Sequence, residues 1–540
     1  MIPSRHSIIW IIALAVYLVP LGLRPMVAPD EYRYAEIPRE MIESGDWISP
    51  HLVGVRYFEK PVLGYWLTAV SMSVLGAALL LGLLVRSRRE GRPAQVLTAL
   101  VFMSSLLVFS IGTYNVLDSP LSLFTTGSLV MFFLAFDAPT ARRRRWFLSL
   151  FGVFCGLAFL TKGFLAFAVP VVTIAPFLLW ERRLRDLLVL PWIPILFAVL
   201  ISLPWALAIH AREPDFWRHF FWMEHVDRFT SPEADHPQPF WFLAPFLVLG
   251  ALPWTALIPA AIRGLKDRGF HDPLVRYAIC WCLAPFLFFS MSSGKLGTYV
   301  LPCLAPLAVL IALGLVRYCR AKPPGPYFRR GALVLGGFLI VAGLCFAAME
   351  RLAVFGDRLY GEEELSKLIL VVVGVLLWGG LCLYASRAGS ANRAIAAFAV
   401  GPLFLIVSSS LLLPRGFEER AAPHRELEQL KARLPDDALL VVGRGYVHAV
   451  AWTLKRDDLS VLRLGELRYG FEADPEQHHR VVMAEQLFAR FLAGQQKGRP
   501  VAVFLERKHY QKLLNSAGPP DDEDVGDFAV YALYHGRGEQ

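Results

Sequence analysis

Cysteine is scarce in this 540-residue chain, and its placement removes it from consideration. All seven (Cys155, Cys280, Cys282, Cys303, Cys319, Cys345, Cys382) fall in or at the edge of apolar runs, and none lies in the polar C-terminal part. No disulfide framework is implied, and Cys280 with Cys282 is too close-set for a zinc pair. Charge is scarce too. With 18% Asp, Glu, Lys and Arg against 55% hydrophobic residues, an ordinary soluble composition is excluded. The chain lacks a Walker A loop, a dinucleotide glycine fingerprint and HExxH, so nothing points to direct nucleotide use. It has no repeat of fixed period, which excludes a solenoid.

What the chain has instead is long apolar runs. About thirteen are long enough for membrane helices, some interrupted by proline: residues 8–23, 63–85, 96–111, 121–136, 147–160, 165–180, 187–209, 240–262, 274–290, 299–316, 332–349, 368–385 and 394–413. The first could pass for a signal peptide, but no small-residue cleavage site follows it, so it reads as an uncleaved span. The formal charge of +9 sits in short loops between spans, which makes it a topology signal and not a footprint for nucleic acid. Arg86, Arg88, Arg89 and Arg92, the run 142–145, Arg182, Arg183 and Arg185, and the later clusters at 263–276, 317–330 and 387–393 fall in alternate loops. That alternation puts the N-terminus and the basic loops in the cytoplasm. Segments 29–59 and 212–238, with everything after Pro414, then face outside.

One loop is dense in charge. Between the first two spans lie Asp30, Glu31, Glu36, Glu40, Glu43, Asp46 and Glu59 with Arg33, Arg39, Arg56 and Lys60, a nearly neutral polar surface. Asp30 reads as a helix cap, with Tyr34, Ile37 and Met41 on one face of the helix and Glu36, Glu40 and Glu43 on another; Pro38 should kink it. The segment 212–229 pairs Phe216 with Phe220 and Trp217 with Phe221 and reads as a second helix in the membrane interface. From residue 415 the pattern changes to short apolar runs (439–442, 501–505, 528–534) alternating with helical ones (426–433, 485–492, 510–514), which predicts a small α/β domain.

Ionisable residues at a lipid boundary point to function. On the external side these are Asp30, Glu31, Glu59, Lys60, Asp118, Lys162, His225 and Lys295. A shared cavity at the outer leaflet would explain them, the acids for positioning, proton acceptance or metal binding, and Lys60, Lys162, Lys295 and Arg228 to clamp an anionic headgroup such as phosphate. Each also has an ordinary alternative. Asp30 can be only a cap, Glu59 with Lys60 a local ion pair, His225 a surface histidine, and Lys162 and Lys295 snorkelling residues.

The stretches PDEYRYAEIPREM (29–41) and SGDWISPHLVGVRYFEKPVLGYW (44–66) resemble the lipid A aminoarabinose transferases, polyprenyl-phosphate-dependent glycosyltransferases of the GT-C superfamily similar to protein O-mannosyltransferases. GTYNVLD (112–118), LTKGFLAFAVP (160–170), the segment 212–229, SSGKLGTYVLP (292–302), LKRDDL (454–459) and GELRYG (465–470) extend the resemblance over nearly the whole chain. It implies an all-α polytopic domain of about thirteen helices at 1–414, carrying external juxtamembrane helices at about 24–62 and 211–239, with a periplasmic α/β domain at 415–540.

The implied activity is transfer of 4-amino-4-deoxy-L-arabinose from undecaprenyl phosphate to lipid A in the bacterial inner membrane, by a monomer that binds membrane lipid and no nucleic acid. Carried over by motif, Asp30 is the catalytic carboxylate and Asp118 the second acid. Lys60 and Arg228 hold the carrier phosphate, with Arg33, Tyr34 and Tyr57 nearby. Lys162, Lys295, Tyr299 and Glu466 are further substrate contacts. Glu59 and His225 are candidate ligands of a divalent ion such as zinc, with its catalytic part open. The chain departs from the family after GYW, where about a dozen residues are absent and Gly76 runs straight into Ala77 and Ala78. Two other readings compete: transfer of a lipid-linked sugar to protein hydroxyls, and a lipid transporter.

Overall fold

The structure is a computed structural model that describes residues 17, 25–66, 70–87, 91–227, 237–266, 269–319, 324–354, 358–435, 437–484, 488, 499–525 and 529–534. Its contacts divide the chain into two compact units, Met1–Leu23 with Ala69–Leu412, and Arg24–Thr68 with Leu413–Gln540. The charged loop between the first two apolar runs is therefore part of the C-terminal unit, whereas the sequence grouping attached 24–62 to the helices.

The larger unit is helical, and the protein is a multi-pass membrane protein. Among the described residues, eight helices are long and apolar enough to cross a membrane, or ten if each of two sharply bent pairs counts as one span. Gly76–Arg86 and Leu165–Trp180 are apolar but shorter, and the first run, 8–23, lies outside the described residues except Tyr17. Those three make up the difference from the sequence count. Val70–Ser87 continues as one helix through Gly76. Where Ala141–Lys162 and Trp192–Arg212 pack, glycine sets the approach. A Cβ on Gly152 would lie 2.3 Å from the Pro194 carbonyl oxygen, so only glycine lets the backbones meet.

The two bent pairs, Arg92–Met103 with Leu106–Gly112 (66°) and Phe240–Gly250 with Trp254–Leu265 (88°), join each other at their breaks. The Leu106 N–H donates to the Leu252 carbonyl at 3.0 Å, and Trp254 Nε1 donates to Ser104 Oγ at 2.9 Å. Backbone that leaves the helix inside a membrane must find partners within the protein, and here one break's N–H meets the other's carbonyl while a side-chain pair ties the two. Within the segment 212–229, expected as an interfacial helix, the backbone is a π-helix over Arg218–Asp227. Phe216 and Phe220 are buried and stacked at 5.2 Å, facing protein and not water.

The second unit begins with helix α1 (Asp30–Ser44). It starts on two acids, favourable at a helix N-terminus, and ends at Gly45, whose left-handed φ of 71° closes it. Pro38 lies inside it without ending it. The expected division of faces is corrected. Ile37 and Met41 are buried, but so are Glu36 and Glu40, because Arg39 pairs with Glu36 and Glu43 and a hairpin covers Glu40. That hairpin joins β1 (His51–Leu52) and β2 (Val55–Arg56) through Val53 and Gly54, both at positive φ, the backbone of a two-residue type I′ turn. Positive φ is strained for a β-branched residue, and the Glu40 carboxylate supports it by accepting the N–H groups of Val53 (2.6 Å) and Gly54 (3.1 Å).

The α/β part holds β3 (Leu439–Gly443), α2 (Val447–Leu454), β4 (Ser460–Leu462), α3 (Arg468–Ala473), β5 (Val481–Val482), β6 (Val501–Glu506), α4 (Arg507–Ala517), β7 (Asp522–Val525) and β8 (Ala529–Tyr534). The six sheet strands run in the order β5-β4-β3-β6-β8-β7. The first four are mutually parallel, and β8 runs antiparallel between β6 and β7. Apolar runs such as Val501–Leu505 are buried, as a sheet covered on both faces requires. The edge strand Asp522–Val525 is exposed and acidic, which discourages edge pairing. Predicted strands 439–442, 501–505 and 528–534 correspond to β3, β6 and β8; predicted helix 485–492 falls almost wholly outside the described residues.

Candidate active site

In the second unit, α1 packs on α2 and the start of α1 meets the turn before α3, bringing residues more than 400 positions apart into contact. Glu466 is the hub. Its carboxylate accepts from Arg33 Nη2 at 2.7 Å and 2.8 Å and from the Tyr57 hydroxyl at 3.3 Å. It also lies 2.5 Å from His448 Nε2. Burial alone would raise the Glu466 carboxyl, but the charges of His448 and Arg33 and the hydrogen bonds from both outweigh it and hold it down at about 2. An ionised carboxylate only accepts, so Nε2 of His448 carries the proton. Arg33 is likewise buried, at a cost to its charge, yet Tyr57, Glu466, Tyr34 and Asp30 raise its pKa well above the ordinary arginine value.

Arg33 passes this order outward. Its Nη1 donates to Asp30 Oδ1 at 3.0 Å, and its guanidinium lies 5.8 Å from the Tyr34 ring centre. The Asp30 side chain is 53% exposed, so the carboxylate is anchored on one side and accessible on the other. Asp30 is the first residue of the helix, whose cap position is Pro29, and its side-chain partner is Arg33. The rings of Tyr34 and Tyr65 are 6.1 Å apart. Close to Asp30, the buried donors Arg33 Nε and Tyr65 Oη have no hydrogen-bond partner among the described residues, as is also true of Ser49 Oγ, Thr453 Oγ1, Tyr510 Oη and Tyr531 Oη elsewhere in this unit. Lys60 lies 3.7 Å from the Glu59 carboxylate and donates to the Glu59 carbonyl at 2.8 Å, so the local ion pair is present. Tyr57 is buried, and burial moves its hydroxyl well above the usual phenol range.

In the helical unit, Asp118 opens one helix and Lys162 ends the next, so both charges suit their helix ends. Lys162 Nζ donates to both Asp118 oxygens, at 2.9 and 3.0 Å, and is paired, not snorkelling. Lys295 is buried and donates to the Gln238 carbonyl at 2.7 Å. Tyr299, in the turn Gly297–Val300, packs against Phe289 at 5.3 Å. Arg228 lies outside the described residues, as does the side chain of His225. Among the described residues no group of three or more His, Cys, Asp or Glu could hold a metal ion, Glu59 pairs with Lys60, and no step is routed through a metal.

Sequence reasoning missed His448, Arg480 and the role of Glu40. His448 sits in the apolar run VHAVAWTL with no local signal. Arg480 is buried and donates to the carbonyls of Val53 (2.9 Å), Asp457 (2.6 Å) and Leu459 (2.9 Å), which fastens the hairpin to the α/β part.

Comparison with known proteins adds to this geometry. Residues 6–220 match the family described as dolichyl-phosphate-mannose-protein mannosyltransferase, and residues 418–533 match the C-terminal domain of arabinosyl transferase ArnT. An undecaprenyl phosphate-alpha-4-amino-4-deoxy-L-arabinose arabinosyl transferase of Shewanella sediminis is 40% identical over 97% of this chain and 96% of its own length. One of the same name from Serratia proteamaculans is 36% identical over 95% and 96%. The crystal structure of ArnT from Cupriavidus metallidurans bound to undecaprenyl phosphate has a TM-score of 0.78 at 23% identity, covering 100% of both chains; it shares the fold.

Proposed function

The chain belongs to the undecaprenyl phosphate-4-amino-4-deoxy-L-arabinose arabinosyl transferases, and from that membership we propose that it moves 4-amino-4-deoxy-L-arabinose from undecaprenyl phosphate to phosphate groups of lipid A. The product carries less negative charge, which gives resistance to polymyxin and other cationic peptides. The observation that carries this reading is 40% identity sustained over 97% of the chain.

The proposal assigns Asp30 as the catalytic carboxylate and Asp118 as the second acid, and gives Lys60, Arg228, Arg33, Tyr34 and Tyr57 the carrier phosphate. Lys162, Lys295 and Tyr299 are assigned to substrate contacts. The orphaned donors Arg33 Nε and Tyr65 Oη support an anion beside α1, since phosphate oxygens would satisfy them. In the reaction the bond from the anomeric carbon to the carrier phosphate breaks as an oxygen of the acceptor phosphate bonds to that carbon from the opposite face. A phosphate monoester, with its second pKa near 6, is already largely ionised at neutral pH, so no strong base is needed. Asp30 orients the acceptor or balances charge in the oxocarbenium-like transition state, while the bases stabilise the leaving phosphate.

In the same proposal the protein lies in the bacterial inner membrane with its N-terminus in the cytoplasm and the α/β domain in the periplasm. Mass spectrometry of lipid A from cells expressing the chain tests the function: added aminopentose is expected, and unchanged lipid A overturns it. The match of residues 6–220 to protein mannosyltransferases favours one second reading, a hydroxyl acceptor. Asp30 would then have to act as a true base, and the sugar would be found on protein instead.

A further inference from the structure

The mechanism above leaves a buried histidine unused. His448 is 1% exposed, lies in the first turn of α2, and points Nε2 at Glu466. From there the contacts run in one line: His448 Nε2 to Glu466 Oε1 at 2.5 Å, Glu466 to Arg33 Nη2 at 2.7 Å, and Arg33 Nη1 to Asp30 Oδ1 at 3.0 Å. Three of the four side chains are largely shielded, and only the last is half-exposed. Glu466 is then poorly placed for a substrate contact, because its oxygens are taken by Arg33, Tyr57 and His448.

We propose that His448 and Glu466 are positioning residues, which act through Arg33 to fix the orientation of the Asp30 carboxylate. The proposal rests on the assignment of Asp30 as the group that meets the reacting atoms. The chemistry of the links fits the role. Glu466 accepts from both sides at once, so its position is determined by two donors on different elements. Arg33 spends its two Nη groups on different carboxylates, which leaves its plane little freedom. A shift at α2 is therefore delivered to Asp30 as a change of angle, and misplacement by about 1 Å at a reacting group costs on the order of 100-fold in rate.

The test is steady-state kinetics on purified full-length protein with undecaprenyl-phosphate-linked aminoarabinose and lipid A. His448→Ala should lower kcat by about 10- to 100-fold and raise KM for the donor by a smaller factor, since Lys60 and Arg228 keep the carrier phosphate while only Arg33 shifts. His448→Gln, whose amide nitrogen reaches the place of Nε2 and still donates, should recover about tenfold of that loss. In an Arg33→Ala background the alanine substitution should cost almost nothing further, because the link it works through is gone.

Should His448→Ala not purify as a folded protein, His448→Leu fills the buried volume and gives the same comparison. A kcat within about threefold of wild type, glutamine no better than alanine, or the same loss with Arg33 removed overturns the inference. The comparison is a ratio to wild type on whichever linked sugar the wild-type chain transfers. Wild-type protein that transfers a different sugar overturns the substrate reading and leaves the positioning inference to stand or fall on the ratios. As a readout besides activity, amide exchange over residues 27–34 should rise in His448→Ala and return in His448→Gln; unchanged exchange in the alanine variant also counts against the inference.

Discussion

Asp30 sits where a charged side chain has the most to do and the least to gain structurally. Asp30 is half-exposed and pairs with Arg33, and exposed pairs contribute under about 1 kcal/mol. Asp30→Asn should therefore leave the protein folded, and it and Lys60→Ala should each lower kcat/KM by roughly 100-fold or more, the scale of losing one preorganised electrostatic contact. A purified transfer assay beside a thermal melt checks this, and full activity of either variant removes it from the site. Asp30, Lys60, Asp118 and Lys162 were legible in the sequence because a charge beside an apolar run is visible without any fold. His448 was not. Its significance comes from Glu466, and that of Glu466 from Arg33, 433 positions away, a distance over which local pattern carries no information.

At the scale of elements, α1 and its hairpin depend on two carboxylates with opposite responses to pH. Burial and the nearby Glu36 raise the Glu40 carboxyl to about 7 against an ordinary value of 4.5, despite the N–H groups of Gly54 and Val53. Its fold contribution is whole below 4.5 and is lost as pH rises through about 7. Glu466, held down at about 2, contributes above 4.5 and is lost as pH falls toward 2. Exchange protection of residues 51–56, corrected for intrinsic rates, should thus decrease between pH 5 and pH 8. Glu40→Gln should flatten that slope; an unchanged slope in the variant would show that another group drives it. The helix itself was legible from its start and its apolar spacing. The burial of Glu36 and Glu40 was not, since it depends on Arg39 and on the hairpin that folds over Glu40, and period alone assigns a carboxylate to water.

For the whole molecule, the membrane class followed from composition and the alternation of basic loops, which needs no tertiary contact. It predicts sidedness: a tag after Gln540 should be reached by a reagent confined to the periplasm, and labelling only from the cytoplasmic side would invert the topology. What composition could not reveal is which loop belongs with which domain, because Arg24–Thr68 joins the C-terminal unit through contacts such as Arg480 to Val53, 427 positions apart. Nor could run length reveal that two apolar runs bend sharply and are joined at their bends. That junction bears on biogenesis. Trp254 and Ser104 are 150 residues apart, so during synthesis the earlier span waits, its interrupted backbone incompletely satisfied, until the later one emerges. An insertase that shelters the first arrival, or a hairpin that enters lipid only once its companion exists, is what such an arrangement demands of the cell.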